Sequence, residues 1–176
     1  MATNACNDRD RRISFRKEHR VVAKQTMEDP LLTIELVPKT SWCSNVRSRV
    51  SKEQWDMIRR DVYQRAGYKC EVCGGKGPEH PVECHEQWAY HDDAHVQELR
   101  RMLALCPSCH RVKHIGKAAV DGKMEEAIRH LKNVNGWTVD QAGLYVERAF
   151  KKWRTRSQHR WTVDTSILEE QFDVTV

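Results

Sequence analysis

The chain has 176 residues, of which 39% are hydrophobic and 31% are charged, a length that supports one principal core with extensions rather than two independent domains. The formal net charge of +5 is compatible with binding to a polyanion but does not require it. Apolar stretches are too short for a signal peptide or a membrane span, so we expect an intracellular, cytoplasmic protein with no membrane partner.

The first predicted segment is a polar basic arm, residues 1–30, in which arginines and lysines alternate with acids and few large apolar groups. Such a composition is typical of a flexible extension. The next segment, residues 31–67, opens with a β-prone run, residues 31–37, that ends at Pro38. Because proline cannot donate a ladder hydrogen bond, we predict a short strand that stops there.

Three helices are predicted from their caps and apolar spacing. Ser51 and Gln54 have the form of a capping box, and apolar residues follow at helical spacing until a glycine. In the C-terminal extension, residues 118–176, an apolar helical stripe is followed by a second capping-box pattern at Thr138 and Gln141. The extension is therefore predicted to be helical.

The central segment, residues 68–117, contains two CxxC units. Four thiolates form the tetrahedral set that zinc prefers in closed structural sites. Seven cysteines in an intracellular protein are expected to stay reduced, which favours a metal over disulfides. Free thiols and a redox CxxC are the alternatives, but neither requires two identical spacings. We predict a structural Zn²⁺ whose ligands are Cys70, Cys73, Cys106 and Cys109.

Histidines accompany the cysteines in this segment. If a helix begins after Cys109, His110 and His114 lie four residues apart and share one face, as two imidazoles must to hold one cation. His85, preceded by Cys84, lies between the two CxxC units. For any single histidine, exposure to solvent is the simpler explanation. The grouping of all three favours a site that binds a second metal.

A turn at residues 92–93 is predicted between two strands, because both residues are aspartate. The residues after the turn leave two alternatives open. The apolar residues from Val96 onward have helical spacing, whereas a ββα core needs a second strand near residues 102–105. His91 and His95, which flank the turn, are expected at the surface rather than among metal ligands.

The combination of CxxC, Cys84-His85 and LCxxCHxxKH resembles the HNH endonucleases, a ββα-metal class, with an inserted four-cysteine zinc site. The resemblance covers residues 68–117, and the flanking residues 32–49 and 137–168 are also similar to bacterial proteins labelled as HNH nucleases. It implies an α+β fold in which a small ββα-metal core is flanked by N- and C-terminal helices. It also implies a metal-dependent endonuclease that hydrolyses DNA phosphodiester bonds.

The resemblance also implies roles for particular residues. His85 matches the general base, and His110 and His114 match ligands of the catalytic metal. Cys84 is a further candidate ligand, because the residue before the base often completes the metal shell in this family. Imidazole suits Mn²⁺, Ni²⁺ or Zn²⁺, and Mg²⁺ binds where phosphate and water fill the remaining positions.

Two positions depart from the family pattern. Cys84 stands where a histidine or carboxylate is common, a place that the flanking Glu83 or Glu86 could fill as metal ligand. Arg101 stands where the family usually has its central asparagine. These departures favour an alternative function: a catalytically inactive zinc module that binds nucleic acid or serves as a subunit of a larger assembly.

The densest basic stretch outside the arm lies near the end of the predicted C-terminal helix. A nuclease needs cations that neutralise the phosphate backbone, so we expect this stretch to contact DNA. A solvated helix face is the alternative, and the tryptophans within the stretch are more often core anchors. The candidate DNA-binding residues are Lys151, Lys152, Arg154, Arg156 and Arg160.

Overall fold

The computed structural model describes residue 27 and residues 29–175, so nearly all of the predicted basic arm, residues 1–30, lies outside the described residues. The described part has an α+β fold, as the sequence predicts, and it contains seven α-helices and a three-stranded sheet. No helix in this part is both long enough and apolar enough to cross a bilayer.

Residues 31–37 form neither a strand nor a helix, so the predicted strand is wrong. The Leu32 N–H donates to Asn135 Oδ1, and Asn135 Nδ2 donates back to the Leu32 carbonyl, both at 3.0 Å. The Glu35 N–H donates to the Lys113 carbonyl at 3.1 Å. These backbone groups thus find their partners on helices, which a β-propensity argument does not consider.

A 3₁₀ turn, Lys39–Ser41, and a short helix α1, Val46–Arg49, precede the first long helix, α2, Lys52–Arg65. The predicted capping box is present at the start of α2. The Gln54 N–H donates to Ser51 Oγ at 3.1 Å, and the Ser51 N–H donates to the Gln54 side chain at 2.9 Å. Both bonds satisfy backbone donors that the first turn of a helix leaves without a partner.

An antiparallel hairpin follows, formed by β1, Glu83–His91, and β2, Val96–Leu105. The predicted turn at the two aspartates is confirmed, and the residues after it form a strand rather than a helix. A third strand, β3, Thr162–Asp164, pairs with β2 in parallel. Helix α3, Pro107–Lys113, begins two residues after β2, so the hairpin and this helix make a ββα-like unit.

The C-terminal extension is helical, as predicted. Gly136 ends one of its helices in the left-handed conformation, with φ of 65°, which glycine adopts without steric cost. Thr138 and Gln141 form the second predicted capping box. The helices are α4, Ile115–Val120; α5, Met124–Asn135; α6, Val139–Arg156; and α7, Ile167–Phe172.

The hairpin separates two hydrophobic clusters because successive side chains of a strand point to opposite faces. Leu103 and Leu105 belong to the cluster that contains α3, α4, α5 and α6 side chains. Met102 and Ala104 belong to the cluster that contains α2 and α7 side chains. His85 is paired with Leu103 in the register, and therefore faces the α3 side of the hairpin.

Candidate metal centres

The four cysteine sulfurs of the two CxxC units lie within 4.8 Å of one another. Cys70 and Cys73 are in a tight loop, which is closed by a hydrogen bond from the Cys70 N–H to the Gly75 carbonyl at 2.9 Å. Cys106 is the N-cap of α3, and Cys109 lies within the first turns of that helix. The junction of β2 and α3 thus places the sulfurs of Cys106 and Cys109 beside those of Cys70 and Cys73 in the loop.

The loop is fixed to the hairpin through Glu71. Its N–H donates to the Ala104 carbonyl at 2.9 Å, and its carboxylate accepts from the Ala104 N–H at 2.6 Å. Arg101 Nη2 donates to the other carboxylate oxygen at 2.9 Å. Arg101 therefore supports the residue that fixes the cysteine loop, and it is not among the residues that line the histidine cavity described below.

The pKa shifts of three of the thiols also fit a cation. A hydrogen bond from Cys109 lowers the pKa of Cys70 to about 4, and the same contact, together with burial, raises the pKa of Cys109. Burial raises the pKa of Cys106 to about 11. The Cys70 sulfur thus opposes ionisation of Cys106 and Cys109, and a divalent cation removes that opposition. The arrangement is consistent with a structural metal.

His130 also contacts this cluster, although the sequence analysis did not select it. Its Nε2 lies 3.2 Å from Cys109 Sγ, and it comes from α5, which packs against α3. Outer hydrogen-bonding partners of this kind orient metal ligands. The apolar spacing of α5 predicts which of its faces is buried. It does not predict that α5 packs against the cysteines, so the role of His130 could not be read from the sequence.

The three predicted histidines form a second cluster. The Nε2 atoms of His110 and His114 are 3.1 Å apart, and a ring nitrogen of His85 completes a set within 4.8 Å. Helix α3 ends at Lys113, and His114 is its C-cap, so the two residues still lie one turn apart on one face. β1 supplies His85 from the opposite side.

Two of these imidazoles, those of His110 and His114, are held neutral. Burial, followed by the charge of neighbouring histidines, lowers the pKa of His114 to about 3 and also lowers the pKa of His110. A neutral imidazole keeps a lone pair for a metal, whereas a protonated one repels it. The histidine cluster can therefore bind a divalent cation through three nitrogen donors, whereas the cysteine cluster offers four sulfurs.

Two carboxylates hold the histidine rings. The Nδ1 of His110 contacts the carboxylate of Glu83, which leaves its Nε2 beside that of His114. His85 Nε2 lies 3.1 Å from Glu35 Oε2. Carboxylates that hydrogen-bond to metal-binding histidines fix the ring orientation and increase ligand basicity. The sequence offered Glu83 as a possible replacement for Cys84 in the metal shell, whereas it gave no functional role to Glu35.

Glu35 belongs to a buried charge network with Lys113. Lys113 Nζ contacts Glu35 Oε1 and donates to Thr33 Oγ1 at 2.6 Å. Burial acts to raise the pKa of Glu35, but the His85 hydrogen bond and the Lys113 charge outweigh it and lower that pKa to about 2. Glu35 is therefore ionised. Glu35 is the only acid in the apolar run of residues 31–37. Because a buried acid requires a partner, its presence there is the sequence signal that could have indicated this network.

Cys84 is not part of the histidine cluster. Strand alternation places it with Ala104 on the opposite face of the hairpin, where its N–H donates to Tyr63 Oη at 3.2 Å. Burial raises the pKa of its thiol to about 12, so the sulfur is protonated. The structure thus does not bring together Cys84 and the histidines as ligands of one metal.

The histidine cluster opens into a cavity of about 580 Å³. This volume lies within the range of small-molecule sites. Cationic side chains at the cavity come from Arg47 and Lys117, which the sequence analysis did not select. Its aromatic lining comes from five side chains: Trp42, Trp55, Trp88, Phe150 and Trp153.

The predicted DNA-binding residues divide into two groups. Arg156 is a structural residue: its guanidinium donates to both carboxylate oxygens of Asp92, at 2.7 and 2.9 Å, and lies 4.1 Å from the centre of the Tyr90 ring. Its side chain is only 14% exposed, which favours this structural role over the predicted contact with DNA. The other four are exposed: Lys151, Lys152, Arg154 and Arg160.

The tryptophans beside these cations serve as anchors. Trp153 Nε1 donates to the Val37 carbonyl at 3.0 Å, and Trp161 Nε1 donates to the Arg156 carbonyl at 2.8 Å. His91 and His95 lie outside the histidine cluster, as expected. His91 pairs with Glu98, and the ring of His95 stacks on that of His159.

Comparison of the chain with protein-family models, with curated proteins and with solved structures returns no match. The resemblance to HNH endonucleases therefore depends on the motifs in the sequence and on the two clusters described above.

Proposed function

We propose that the chain is an HNH-type, metal-dependent endonuclease that hydrolyses DNA phosphodiester bonds. The observation that carries the proposal is the convergence of His85, His110 and His114 at one side of an open cavity. A four-cysteine cluster joins the same ββα-like unit to the loop that precedes it. Closed sulfur sites are typical of structural zinc, and three-ligand sites with an open side are typical of catalytic metals.

The chain's own residues have defined tasks in this proposal. His110 and His114 would hold the ion through Nε2, with Glu83 orienting His110 through Nδ1. When bound, a divalent ion stabilises charge on the phosphodiester and lowers the pKa of a water molecule. Glu35 orients His85, and the charge of Lys113 keeps Glu35 ionised.

The position of His85 favours a ligand role over the general-base role that the resemblance implies. Its side chain is 3% exposed, and Glu35 holds its Nε2. A general base must reach a water molecule or the attacking group directly, or through one water. We therefore assign His85 as the third ligand, an assignment that predicts a metal-dependent defect when the residue is replaced.

Cations around the cavity account for binding of the phosphate backbone. Arg47 and Lys117 line the cavity itself, and the exposed residues Lys151, Lys152 and Arg154 lie on α6, which also supplies cavity-lining side chains. Contacts of this kind position a nucleic acid without reading its sequence.

The inactive zinc module is the second candidate function. The observation in its favour is that Arg101, at the place of the family's asparagine, is engaged by Glu71, while Cys84 faces away from the histidines. In that case both clusters would have structural roles, and the chain would bind nucleic acid or a protein partner without cleaving a bond.

Plasmid cleavage distinguishes the two candidates. Wild type is incubated with supercoiled DNA and Mg²⁺, Mn²⁺, Ni²⁺ or Zn²⁺, beside His114→Ala and the exposed-histidine control His91→Ala. The endonuclease proposal predicts nicking or linearisation by wild type and His91→Ala. It predicts a loss in His114→Ala of at least the roughly 10- to 100-fold that outer-shell partners contribute. Absence of cleavage by wild type with every metal supports the inactive module.

A further inference from the structure

The cavity beside the histidines has an unusual lining for a site that handles only a phosphate. Five aromatic side chains line it, and four of the five are tryptophans. Trp42 is 69% exposed and is the most exposed of the five. A large aromatic side chain left open to solvent beside a cluster of candidate ligands suggests a planar ligand, because stacking on such a ring needs one free face.

The cations at the cavity can meet a phosphate group, because the two carboxylates that also line it are already engaged, Glu35 by Lys113 and Glu86 by a backbone N–H. The guanidinium of Arg47 forms no ion pair with any of the described residues, although Arg47 lines the cavity. The Val46 N–H next to it donates to Glu86 Oε1 at 2.8 Å, which fixes the start of α1 against the hairpin. Lys117 supplies a second exposed cation, which also pairs with Asp121. The cavity thus combines aromatic walls, cations and the histidine cluster.

We propose that this cavity binds one unstacked nucleotide of the substrate strand. The base lies against the tryptophans, and the adjoining phosphate lies toward Arg47, Lys117 and the histidines. Aromatic walls bind bases of any type, because every base has a π-face. The inference rests on the proposed nuclease function, and it names the preferred substrate: a single-stranded, bulged or extruded nucleotide rather than a continuously stacked duplex.

Equilibrium binding tests this inference without any cleavage. Fluorescence anisotropy is measured with a short labelled thymidine strand and with an abasic strand of equal length and charge, in buffer without added divalent metal. The protein is used as purified, without a chelator. Wild type is expected to prefer the strand with bases. Trp42→Ala is expected to weaken binding of that strand by about 5- to 150-fold, the usual range for loss of one base–aromatic stack.

Three variants serve as controls. Trp42→Phe retains an aromatic ring and is expected to recover part of the affinity. Tyr68→Ala removes an exposed aromatic residue that does not line the cavity, and should leave both strands unaffected. Arg47→Gln should weaken both strands equally, because both strands carry the same phosphates.

Two results would overturn the inference. In one, wild type shows no preference for the strand with bases, or fails to bind either strand. In the other, Trp42→Ala weakens both strands alike, or dissociates a dimer seen by sedimentation velocity, which would assign the cavity to a second copy of the chain. Because binding is measured without cleavage, a catalytically inactive protein that still prefers bases would overturn the nuclease proposal alone.

Discussion

At the scale of single residues, the ion pair of Glu35 and Lys113 is the feature with the largest expected effect on stability. Their side chains are 11% and 3% exposed. Replacing Glu35 by glutamine leaves the Lys113 ammonium buried without a compensating charge. We predict that Glu35→Gln lowers the free energy of unfolding by about 3–5 kcal/mol, measured by urea denaturation.

A double replacement is the matched control. Glu35→Leu combined with Lys113→Met removes both charges, and replacement of a buried pair by apolar residues is often neutral. The double variant should therefore recover most of the stability that Glu35→Gln loses. If the single variant is as stable as wild type, the pair is not buried in the way described here.

The same pair predicts the direction of a pH effect. The pKa of Glu35 is about 2 in the folded chain, below its ordinary value of 4.5. The unfolded chain therefore takes up a proton first as the pH falls, so the stabilisation is present above about pH 5 and is lost toward pH 2. The stability of wild type relative to the double variant should fall over that range.

At the scale of elements, the structure confirms the helices whose ends the sequence marks. Capping boxes and a terminating glycine predict α2, α5 and α6, because caps and apolar spacing are local properties. The strand predicted for residues 31–37 is wrong because the hydrogen-bond partners of this segment, Asn135 and Lys113, come from distant parts of the chain. β2 was undecided because it is buried on both faces near its end, where strand periodicity disappears.

Helix α6 carries a structural arginine, Arg156, and also exposed cations that are expected to bind DNA. We predict that Arg156→Gln lowers the free energy of unfolding by about 1–2 kcal/mol, because it removes the Asp92 ion pair and the contact with the Tyr90 ring. Arg154→Gln, an exposed position on the same helix, should change stability by less than about 0.5 kcal/mol.

DNA binding should show the opposite pattern for these two variants. Arg154→Gln should make the slope of log affinity against log salt concentration shallower by about 0.9, whereas Arg156→Gln should leave that slope unchanged. If only Arg156→Gln makes the slope shallower, Arg156 contacts DNA and its assignment as a structural residue is wrong.

At the scale of the whole molecule, the cysteine cluster joins the loop before the hairpin to the helix after it. We predict one tightly bound zinc per chain, measured by elemental analysis. Cys109→Ser should lose that zinc and lower the melting temperature by roughly 10 °C or more, because the binding energy of a structural metal is largely folding energy. Cys43→Ser, at an exposed free cysteine, is the control and should change neither quantity. A wild type without zinc would contradict this assignment.

The sequence predicts the two ligand clusters better than it predicts their surroundings. The spacing of the cysteines and of His110 and His114 is local, so their convergence could be anticipated. The contacts of Glu35, His130 and Trp42 with the site depend on which segments pack against the hairpin. No periodicity in one segment contains that information.

In the proposed endonuclease, three histidines hold an ion that cleavage requires. The most direct test of this proposal is the rate of plasmid nicking by wild type and His85→Ala as a function of Mn²⁺ concentration. If His85 is a ligand, His85→Ala needs a higher Mn²⁺ concentration than wild type to reach its half-maximal rate, and it regains part of its activity at saturating Mn²⁺. A general base instead predicts a loss of roughly 10²–10⁴-fold in rate with unchanged Mn²⁺ dependence. That result, or nicking by His85→Ala with the wild-type rate and Mn²⁺ dependence, would contradict the three-histidine site.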